Sequence, residues 1–340
     1  MIEALTYAAA GVDIQAAEVN VRRIGAHVRS THGPSVLGSF GAFAGLYHLT
    51  GLKDPVLVAS TDGVGSKLEL AHKLAQHEGI GRDLVNLSVN DILTAGARPL
   101  FFLDYIALHS MEHDQVEALV RGMSAACREN ECALLGGETA QLPDLYQPGQ
   151  YDLAGFVVGV VEREQIVDGS RVQLGDAVWA LPSTGLHTNG FTLARRVIAT
   201  AELDLRQPRD DLGGQSLGEA LLAAHPSYLA AMRPLLAAGA VKAMAHITGG
   251  GLAGNLPRVL PAAMGADVAW GAWPVPPVFE VLRRAGGIAH EEMLRVFNMG
   301  LGFVFVVEPG VDCPGALRIG TIVPSSGDGE RVVVTGAPRD

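Results

Sequence analysis

The chain has 340 residues, of which 48% are hydrophobic and 18% are charged. Its 36 acidic residues exceed its 25 basic residues, so the formal net charge is −11. This balance argues against a protein that coats nucleic acid or an anionic membrane, and the apolar fraction argues against disorder. At about 150 residues per domain, the length predicts two domains.

The cysteine content and the N-terminus indicate a reducing compartment. Cys127, Cys132 and Cys313 form no CxxC pair and are too few for a disulfide scaffold. The first residues lack the basic region and apolar run of a signal peptide, and no apolar stretch approaches the ~18 residues of a membrane span. We therefore expect a cytoplasmic protein.

Apolar runs and helical patterns alternate along the first half of the chain. Residues 116, 119, 120, 123 and 127 are apolar and follow the i, i+3, i+4, i+7, i+11 spacing of an amphipathic helix. The predicted strands span residues 55–60, 100–108, 132–135 and 154–161, and the predicted helices span residues 66–76, 82–95 and 112–130. Residues 33–51, with five glycines, are predicted to form a loop.

A polar segment with turn signals at residues 168–169 and 175–176 separates the two halves. We place the domain boundary there, which gives domains 1–168 and 169–340. The second half has predicted strands at residues 177–181, 243–247, 267–270, 301–307, 317–322 and 332–335. Its predicted helices span residues 190–201, 216–223, 226–238, 250–259, 278–285 and 291–296, with a loop at 206–215. This mixture predicts two α/β or α+β domains.

The sharpest candidate site is the segment 60–67, Ser-Thr-Asp-Gly-Val-Gly-Ser-Lys, between a predicted strand and a predicted helix. Glycines let the backbone approach a phosphate, and a helix N-terminus offers unpaired N–H groups. Asp62 could bind Mg²⁺ and Lys67 could neutralise a phosphate, although a tight glycine turn explains the same pattern. The segment is neither a Walker A loop nor a GxGxxG fingerprint.

Further carboxylates are candidates for the same metal site. In the predicted helix 82–95, Asp83, Asn86 and Asn90 share one face, for which a solvated face is the simplest interpretation. Alternatively, Asp91 reaches the site of Asp62, since two or three carboxylates with nucleotide oxygens suit Mg²⁺. Glu138, which follows two glycines behind a predicted strand, is a metal or substrate candidate, and a turn that caps the strand is equally compatible.

Two more strand-to-helix junctions are rich in small polar residues. Residues 182–190 include His187, Thr188 and Asn189, which suit an anion or a polar small molecule; Thr188 or Asn189 as a simple N-cap is the alternative. His187 can serve as acid, base or phosphate contact. Residues 245–251 end in three glycines, which favour close approach of an anion. Together these junctions predict a nucleotide-dependent enzyme with a phosphorylated substrate.

In combination, these motifs are specific. The sequence resembles the phosphoribosylformylglycinamidine cyclo-ligases, or aminoimidazole ribonucleotide synthetases, over nearly the whole chain. The resemblance rests on residues 10–14, 40–43, 60–67, 90–91, 99–105, 136–140, 187–190, 245–251 and 297–300. The turn at 62–67 also occurs in a wider superfamily that includes thiamine-phosphate kinase, selenophosphate synthetase and a hydrogenase-maturation protein. Selenophosphate synthetases use a reactive Cys in a glycine-rich loop, whereas residues 33–51 contain no Cys. The hydrogenase-maturation protein ends in a Cys, which the C-terminus of this sequence lacks.

The resemblance implies a fold and a reaction of purine biosynthesis. The N-terminal domain would have a mixed sheet that pairs across a homodimer into a barrel, and the C-terminal domain a sheet flanked by helices. ATP with Mg²⁺ would phosphorylate the formyl amide oxygen of formylglycinamidine ribonucleotide, after which the imidazole ring closes; K⁺ often assists. A small-molecule kinase on the same scaffold is the alternative.

The resemblance also implies roles for individual residues. Asp62 and Asp91, with Glu138, would bind Mg²⁺, and the ATP phosphates would contact Lys67 and the segment Thr61, Gly63, Val64, Gly65, Ser66. The substrate or the transferring phosphate would contact His187, Thr188 and Asn189, with His187 as the acid or base. The ribose phosphate would contact Thr248, Gly249 and Gly250. Relatives often carry a Lys where this chain has Gly25. If that Lys contacts the nucleotide, Arg22, Arg23, His27 or Arg29 would replace it here, or the contact is dispensable.

Overall fold

The computed structural model describes residues 6–325 and 330–338. The chain forms two compact units, one built from the chain up to Ile92 with Arg98–Glu162, the other from Leu93–Ala97 with the chain from Arg163 onward. The predicted boundary after residue 168 lies a few residues beyond the end of the first unit. Among the described residues, no helix combines the length and the hydropathy that crossing a membrane requires.

The first unit is a mixed sheet against which helices pack. Its helices are α1 (Ile14–Arg29), α2 (Leu68–Leu74), α3 (Glu78–Leu93) and α4 (His113–Glu129). Its strands are β1 (Val36–Leu37), β2 (Leu46–Tyr47), β3 (Pro55–Asp62), β4 (Arg98–Leu108), β5 (Ala133–Gln141) and β6 (Tyr151–Glu162). In the described part, the main sheet has the order β3-β6-β4-β5, with only β4 and β5 parallel, while β1 and β2 form a separate ladder.

The helix α4 confirms the predicted amphipathic stripe, since its five apolar positions are all buried. Strand alternation divides the main sheet into two faces: Phe102 and Ile106 on β4 are fully buried, whereas Phe101 and Leu103 are only half-buried. The helix α1 was not among the predicted elements. It begins at Asp13, whose carboxylate accepts a hydrogen bond from the Ala16 N–H at 3.0 Å.

The second unit is built around a larger mixed sheet. Its strands are β7 (Ala177–Pro182), β8 (Val241–His246), β9 (Met264–Ala269), β10 (Leu301–Val307), β11 (Leu317–Pro324) and β12 (Val332–Thr335). Its helices are α5 (Phe191–Thr200), α6 (Leu217–Leu222), α7 (Leu229–Ala237), α8 (Gly251–Asn255), α9 (Pro277–Gly286) and α10 (His290–Val296). Over the described residues, the six strands have the order β12-β9-β11-β7-β10-β8, antiparallel except for β12 with β9. Each unit thus combines a mixed sheet with helices, which confirms the α+β class.

Two predicted loops differ from the structure. Gly136, Gly137 and Glu138 lie inside β5 rather than in a turn behind it. The pairing of β4 with β5 shifts register at Leu135, where one extra residue is accommodated, so the strand continues past the expected stop. The predicted loop 33–51 contains the short ladder of β1 and β2.

Candidate functional site

Two carboxylates lie in one row across the first sheet. Asp62 at the end of β3 pairs with Gly155 on β6, and Gly155 pairs in turn with Asp104 on β4. Directly paired residues point to the same face, and neighbouring strands are ~4.8 Å apart, so Asp62 and Asp104 lie about two strand spacings apart on one face. A Cβ at Gly155 would overlap the Phe102 ring and approach Leu84 of α3. The row therefore faces the helices.

Asp91 reaches the same end of this face. The Ser60 hydroxyl donates to the Asp91 carboxylate at 3.0 Å, and Ser60 lies two residues before Asp62 on the same side of β3. The carboxylate of Asp62 accepts the N–H of Gly63 at 2.7 Å and is exposed. The structure thus brings Asp62 and Asp91 together at the end of one strand.

Asp104 is a candidate ligand that the sequence interpretation missed. Glu138 pairs with Tyr105 on the parallel strand beside it, and a Cβ at Gly137 would overlap the Asp104 carboxylate. Burial, and then the negative charge of Glu138, raise the pKa of Asp104 to about 7. An Asp within an otherwise apolar strand is costly to bury, and this was the available signal.

Asp104 and Glu138 also line a cavity of about 810 Å³ within the first unit. Its apolar wall comes from α1, the segment 36–45 and the strands β2, β4 and β5, with Ile24, Phe40, Tyr47, Phe101, Leu103 and Leu135 among the lining residues. A cavity of this size, mostly apolar with a few polar groups, is typical of a small-molecule site.

The substitution Asp104→Asn is expected to flatten the dependence of stability on pH. The folded-state pKa of about 7 lies above the ordinary value of 3.8, so the folded state holds the proton more tightly. This carboxyl therefore lowers the free energy of unfolding as pH rises from 3.8 through 7. Thermal unfolding is measured in the presence of a chelator at pH 5 and pH 8. The melting temperature of the variant relative to that of the wild type should be higher at pH 8 than at pH 5. The exposed Asp144→Asn is the control, and an equal shift at both pH values would contradict the assignment.

Lys67 is buried and paired with an acidic side chain. Its side chain is fully buried, and its ammonium lies 2.6 Å from the carboxylate of Asp83, which is also fully buried. The ammonium is thus enclosed and paired, and the phosphate contact expected of Lys67 stays a prediction. Around it, Thr61, Asp62 and Gly65 are exposed, Gly63 and Ser66 half-buried, and Val64 buried.

The polar face of α3 is internal, so the interpretation as a solvated face is wrong. Asp83, Asn86 and Asn90 are at most 3% exposed. The Asn86 side-chain oxygen accepts a hydrogen bond from the Asn130 amide at 2.9 Å. These groups pair within the first unit, as buried polar groups must.

Of the four basic residues near Gly25, Arg29 lies beside the cavity. Its guanidinium is 5.9 Å from the ring centroid of Phe40, a residue of the cavity wall. Arg23 instead bonds to Asp114 and Glu117, and His27 lies 3.4 Å from Glu117. Arg29 is therefore the best placed to replace a lysine at position 25.

The second unit brings the two other predicted segments together. Residues 183–190 follow β7 and residues 247–250 follow β8, and both strands pair with β10. A Cβ at Gly249 would lie 3.4 Å from the side-chain oxygen of Asn189, so the segments touch. Thr188, Asn189 and Thr248 are half-buried, while Gly249 and Gly250 are exposed. We call residues 187–190 and 247–250 the paired loops.

Glycines allow these loops to approach the rest of the unit. Gly190 has φ +81° and is the N-cap of α5 without a side-chain capping bond, which excludes the interpretation of Thr188 or Asn189 as the N-cap. A Cβ at Gly190 would overlap the ring of Phe297, so both the backbone angle and the space require glycine there.

Asn298 holds the segment that leads into the first of the paired loops. Its side-chain oxygen accepts from the Ser183 hydroxyl at 3.0 Å and from the Gly300 N–H at 2.9 Å, and its amide donates to the Gly185 carbonyl at 2.9 Å. The sequence marked residues 297–300 only as a motif. Their position beside β7 required the fold.

His187 is enclosed rather than open to a substrate. Its side chain is 1% exposed, its φ is +59°, and it stacks on His225 with ring centroids 3.9 Å apart. The acid or base role that the sequence suggested for His187 therefore stays a prediction, for a ring that is enclosed in the structure. His225 and Tyr228, which surround it, were not singled out from the sequence, since no local pattern links them to His187.

Two family models match most of the chain. The AIR synthase related protein N-terminal domain matches residues 41–161, and the corresponding C-terminal domain matches residues 173–319. Among solved structures, thiamine-monophosphate kinase from Stenotrophomonas maltophilia K279a has a TM-score of 0.64 at 22% identity, covering 93% of this chain and 95% of that chain. The hydrogenase maturation protein HypE in complex with ATP has a TM-score of 0.61 at 22% identity, with 88% and 84% covered. These likenesses show the fold.

Curated relatives show which family within this fold the chain belongs to. The phosphoribosylformylglycinamidine cyclo-ligase of Sorangium cellulosum (strain So ce56) is 52% identical over 310 residues, which cover 90% of this chain and 89% of the relative. That of Xanthomonas oryzae pv. oryzae (strain PXO99A) is 46% identical over 341 residues, with 96% and 99% covered. The chain therefore belongs to the phosphoribosylformylglycinamidine cyclo-ligase family.

Proposed function

We propose that the chain is an ATP-dependent ligase that cyclises formylglycinamidine ribonucleotide to 5-aminoimidazole ribonucleotide, with release of ADP and phosphate. The family supports the reaction. The structural observation that supports it is that Asp91, which accepts the Ser60 hydroxyl, lies at the same end of β3 as Asp62, where the two carboxylates would serve the cation that accompanies ATP. The likeness to a kinase concerns the fold alone and gives the kinase alternative no added support.

Mg²⁺ is part of the proposal through the family. Asp62 and Asp91 at the end of β3 would offer oxygen ligands, which are the ligands that Mg²⁺ prefers. Bound there, Mg²⁺ would neutralise the charge of the ATP phosphates. The turn 61–66, of which Thr61, Asp62 and Gly65 are exposed, would contribute backbone N–H groups to those phosphates, and Arg29 would contact the nucleotide from beside the cavity.

The chemistry converts a poor leaving group into a good one. The formyl amide oxygen attacks the γ-phosphorus of ATP, and the bond from that phosphorus to the ADP oxygen breaks. The amidine nitrogen that bears the ribose then forms a bond to the formyl carbon, and the carbon–oxygen bond breaks as phosphate leaves with the former amide oxygen. The protein's task is to hold the two reacting groups in one geometry.

The paired loops are the proposed site for the ribose phosphate. Thr188, Asn189 and Thr248 offer side-chain polar groups beside the exposed backbone of Gly249 and Gly250. Because His187 is enclosed, we assign it to holding the first loop and not to touching the substrate. K⁺ assistance and a cytoplasmic location are part of the proposal through the family.

A homodimer is also part of the proposal. The face of the first sheet opposite to the helices exposes Leu57 and Phe156, at 62% and 43%. Large apolar side chains exposed on a sheet face favour a partner of matching shape. A second copy that pairs its sheet there would close the proposed barrel.

The proposed reaction is tested by measuring two products together. The protein with ATP, Mg²⁺ and formylglycinamidine ribonucleotide should yield one diazotisable aminoimidazole per ADP. ADP without aminoimidazole would support a kinase instead. Folded protein that forms no ADP would contradict any ATP-dependent reaction on this substrate.

A further inference from the structure

A buried cluster of three histidines and a tyrosine adjoins the paired loops. His187, His225, His246 and Tyr228 are all at most 6% exposed. His187 directly precedes Thr188, and His246 ends β8 just before the second loop. Any role of this cluster in ligand binding rests on the proposed function of those loops as a phosphate site.

The hydrogen bonds of Tyr228 define the protonation of His187. The Tyr228 hydroxyl donates its proton to the Pro182 carbonyl at 2.9 Å. Its oxygen lies 3.4 Å from Nε2 of His187, so in that contact Tyr228 accepts and His187 donates. A neutral imidazole that donates from Nε2 is the Nε2–H tautomer. The tyrosine therefore selects one tautomer and one ring orientation.

The backbone of His187 is held in a costly conformation. A left-handed φ of +59° disfavours a residue with a Cβ. Such a conformation persists where the surroundings fix the side chain. Here His225 stacks on the ring with planes 18° apart, and the tyrosine holds its Nε2.

The fold makes room for this arrangement at Gly302. The pairing of β10 with β7 shifts register between Leu301 and Phe303, so Gly302 forms a bulge. A Cβ at Gly302 would overlap the Tyr228 hydroxyl and lie 2.8 Å from Cε1 of His187. The bulge and the missing side chain together admit the tyrosine–histidine pair.

We propose that Tyr228 is a positioning residue for the paired loops. It holds His187 as the Nε2–H tautomer and thereby stabilises the left-handed turn that presents Thr188 and Asn189 to a phosphate monoester.

A metal centre is the competing interpretation of the cluster. Ring nitrogens of His187, His225 and His246 lie within 4.8 Å of one another. However, the rings of His187 and His225 are nearly parallel, so their in-plane lone pairs cannot converge on one ion. Nε2 of His225 and Nε2 of His246 are 3.0 Å apart, which is a hydrogen bond sharing one proton. The geometry favours a hydrogen-bonded cluster.

The test compares Tyr228→Phe with Tyr151→Phe. Tyr151 is also buried and bonds to a histidine, His77, at 3.0 Å, but in the first unit, so it is a matched control. Nitrogen-15 NMR of the resting protein should show His187 protonated at Nε2, with averaged ring signals in Tyr228→Phe alone. The dissociation constant for ribose 5-phosphate, a phosphate monoester probe, should rise about tenfold in Tyr228→Phe, as expected for a lost hydrogen bond of ordinary strength. In turnover, the KM for the phosphorylated substrate should rise while that for ATP stays unchanged.

Four results would overturn the proposal. The first is protonation of wild-type His187 at Nδ1. The second is wild-type protein that does not bind ribose 5-phosphate, and the third is a Tyr228→Phe affinity no weaker than that of Tyr151→Phe. The fourth is stoichiometric Zn²⁺ binding that shifts the signals of all three histidines. The NMR and binding results do not depend on turnover, so if they hold while no aminoimidazole forms, the proposed reaction fails and the positioning role stands.

Discussion

Asp62→Asn is expected to lower kcat by about 10²–10³-fold, the usual loss when one group that stabilises developing charge is removed. The asparagine keeps an oxygen that can accept the Gly63 N–H, so the turn after β3 should survive. What disappears is the negative charge at the end of the carboxylate row. Thermal unfolding should therefore change little while the coupled assay loses its signal.

The control for Asp62→Asn lies just before the other end of the same strand. Asp54 is exposed and directly precedes β3, so Asp54→Asn removes one charge from the same surface without touching the row. If Asp62 holds the cation, its variant should also need more Mg²⁺ for half-maximal activity. Wild-type turnover in Asp62→Asn would refute the metal assignment, and an unchanged Mg²⁺ requirement with a lower kcat would give Asp62 a different role.

The elements that the sequence predicted well are those whose signal is local. Strand β10 was predicted with its observed ends because Leu301–Val307 is an apolar run, buried on both faces, between a glycine and a polar turn. The stripe of α4 was equally clear. The strand β5 was cut short because Gly136 and Gly137 normally mark a turn. Glycine is required at position 137 because Asp104 on the neighbouring strand occupies the space that a side chain there would need.

The candidate site was predictable only where its residues follow one another in the chain. The loop residues Thr188 and Asn189 could be identified because they are polar and directly follow a predicted strand. In contrast, Asp104 enters the site through strand register, across Gly155 from Asp62, and no spacing in the sequence encodes that pairing. The same holds for Tyr228, which meets His187 from 41 residues away.

Lys67 has an internal partner that residue type alone does not predict. A lysine at the end of a glycine-rich turn suggests a phosphate contact, and the structure encloses its ammonium beside Asp83 of α3. Removing one partner of a buried ion pair leaves an uncompensated charge, so Lys67→Met is expected to lower the free energy of unfolding by about 3–5 kcal/mol. The double variant Lys67→Met/Asp83→Leu should recover most of that loss, because apolar groups can replace a buried pair at little cost.

The double variant also separates an internal role from a catalytic one. If Lys67 serves only as the counter-charge of Asp83, the refolded double variant should bind ATP and turn over within a few-fold of the wild type. If the ammonium contacts the phosphates, the double variant should be stable yet lose turnover. That result would support the phosphate contact that the sequence predicted. The surface pair of Arg82 and Glu129, with side chains 30% and 56% exposed, provides the matched control. Breaking it should cost about 0–1 kcal/mol and leave activity unchanged, because water solvates each charge that remains.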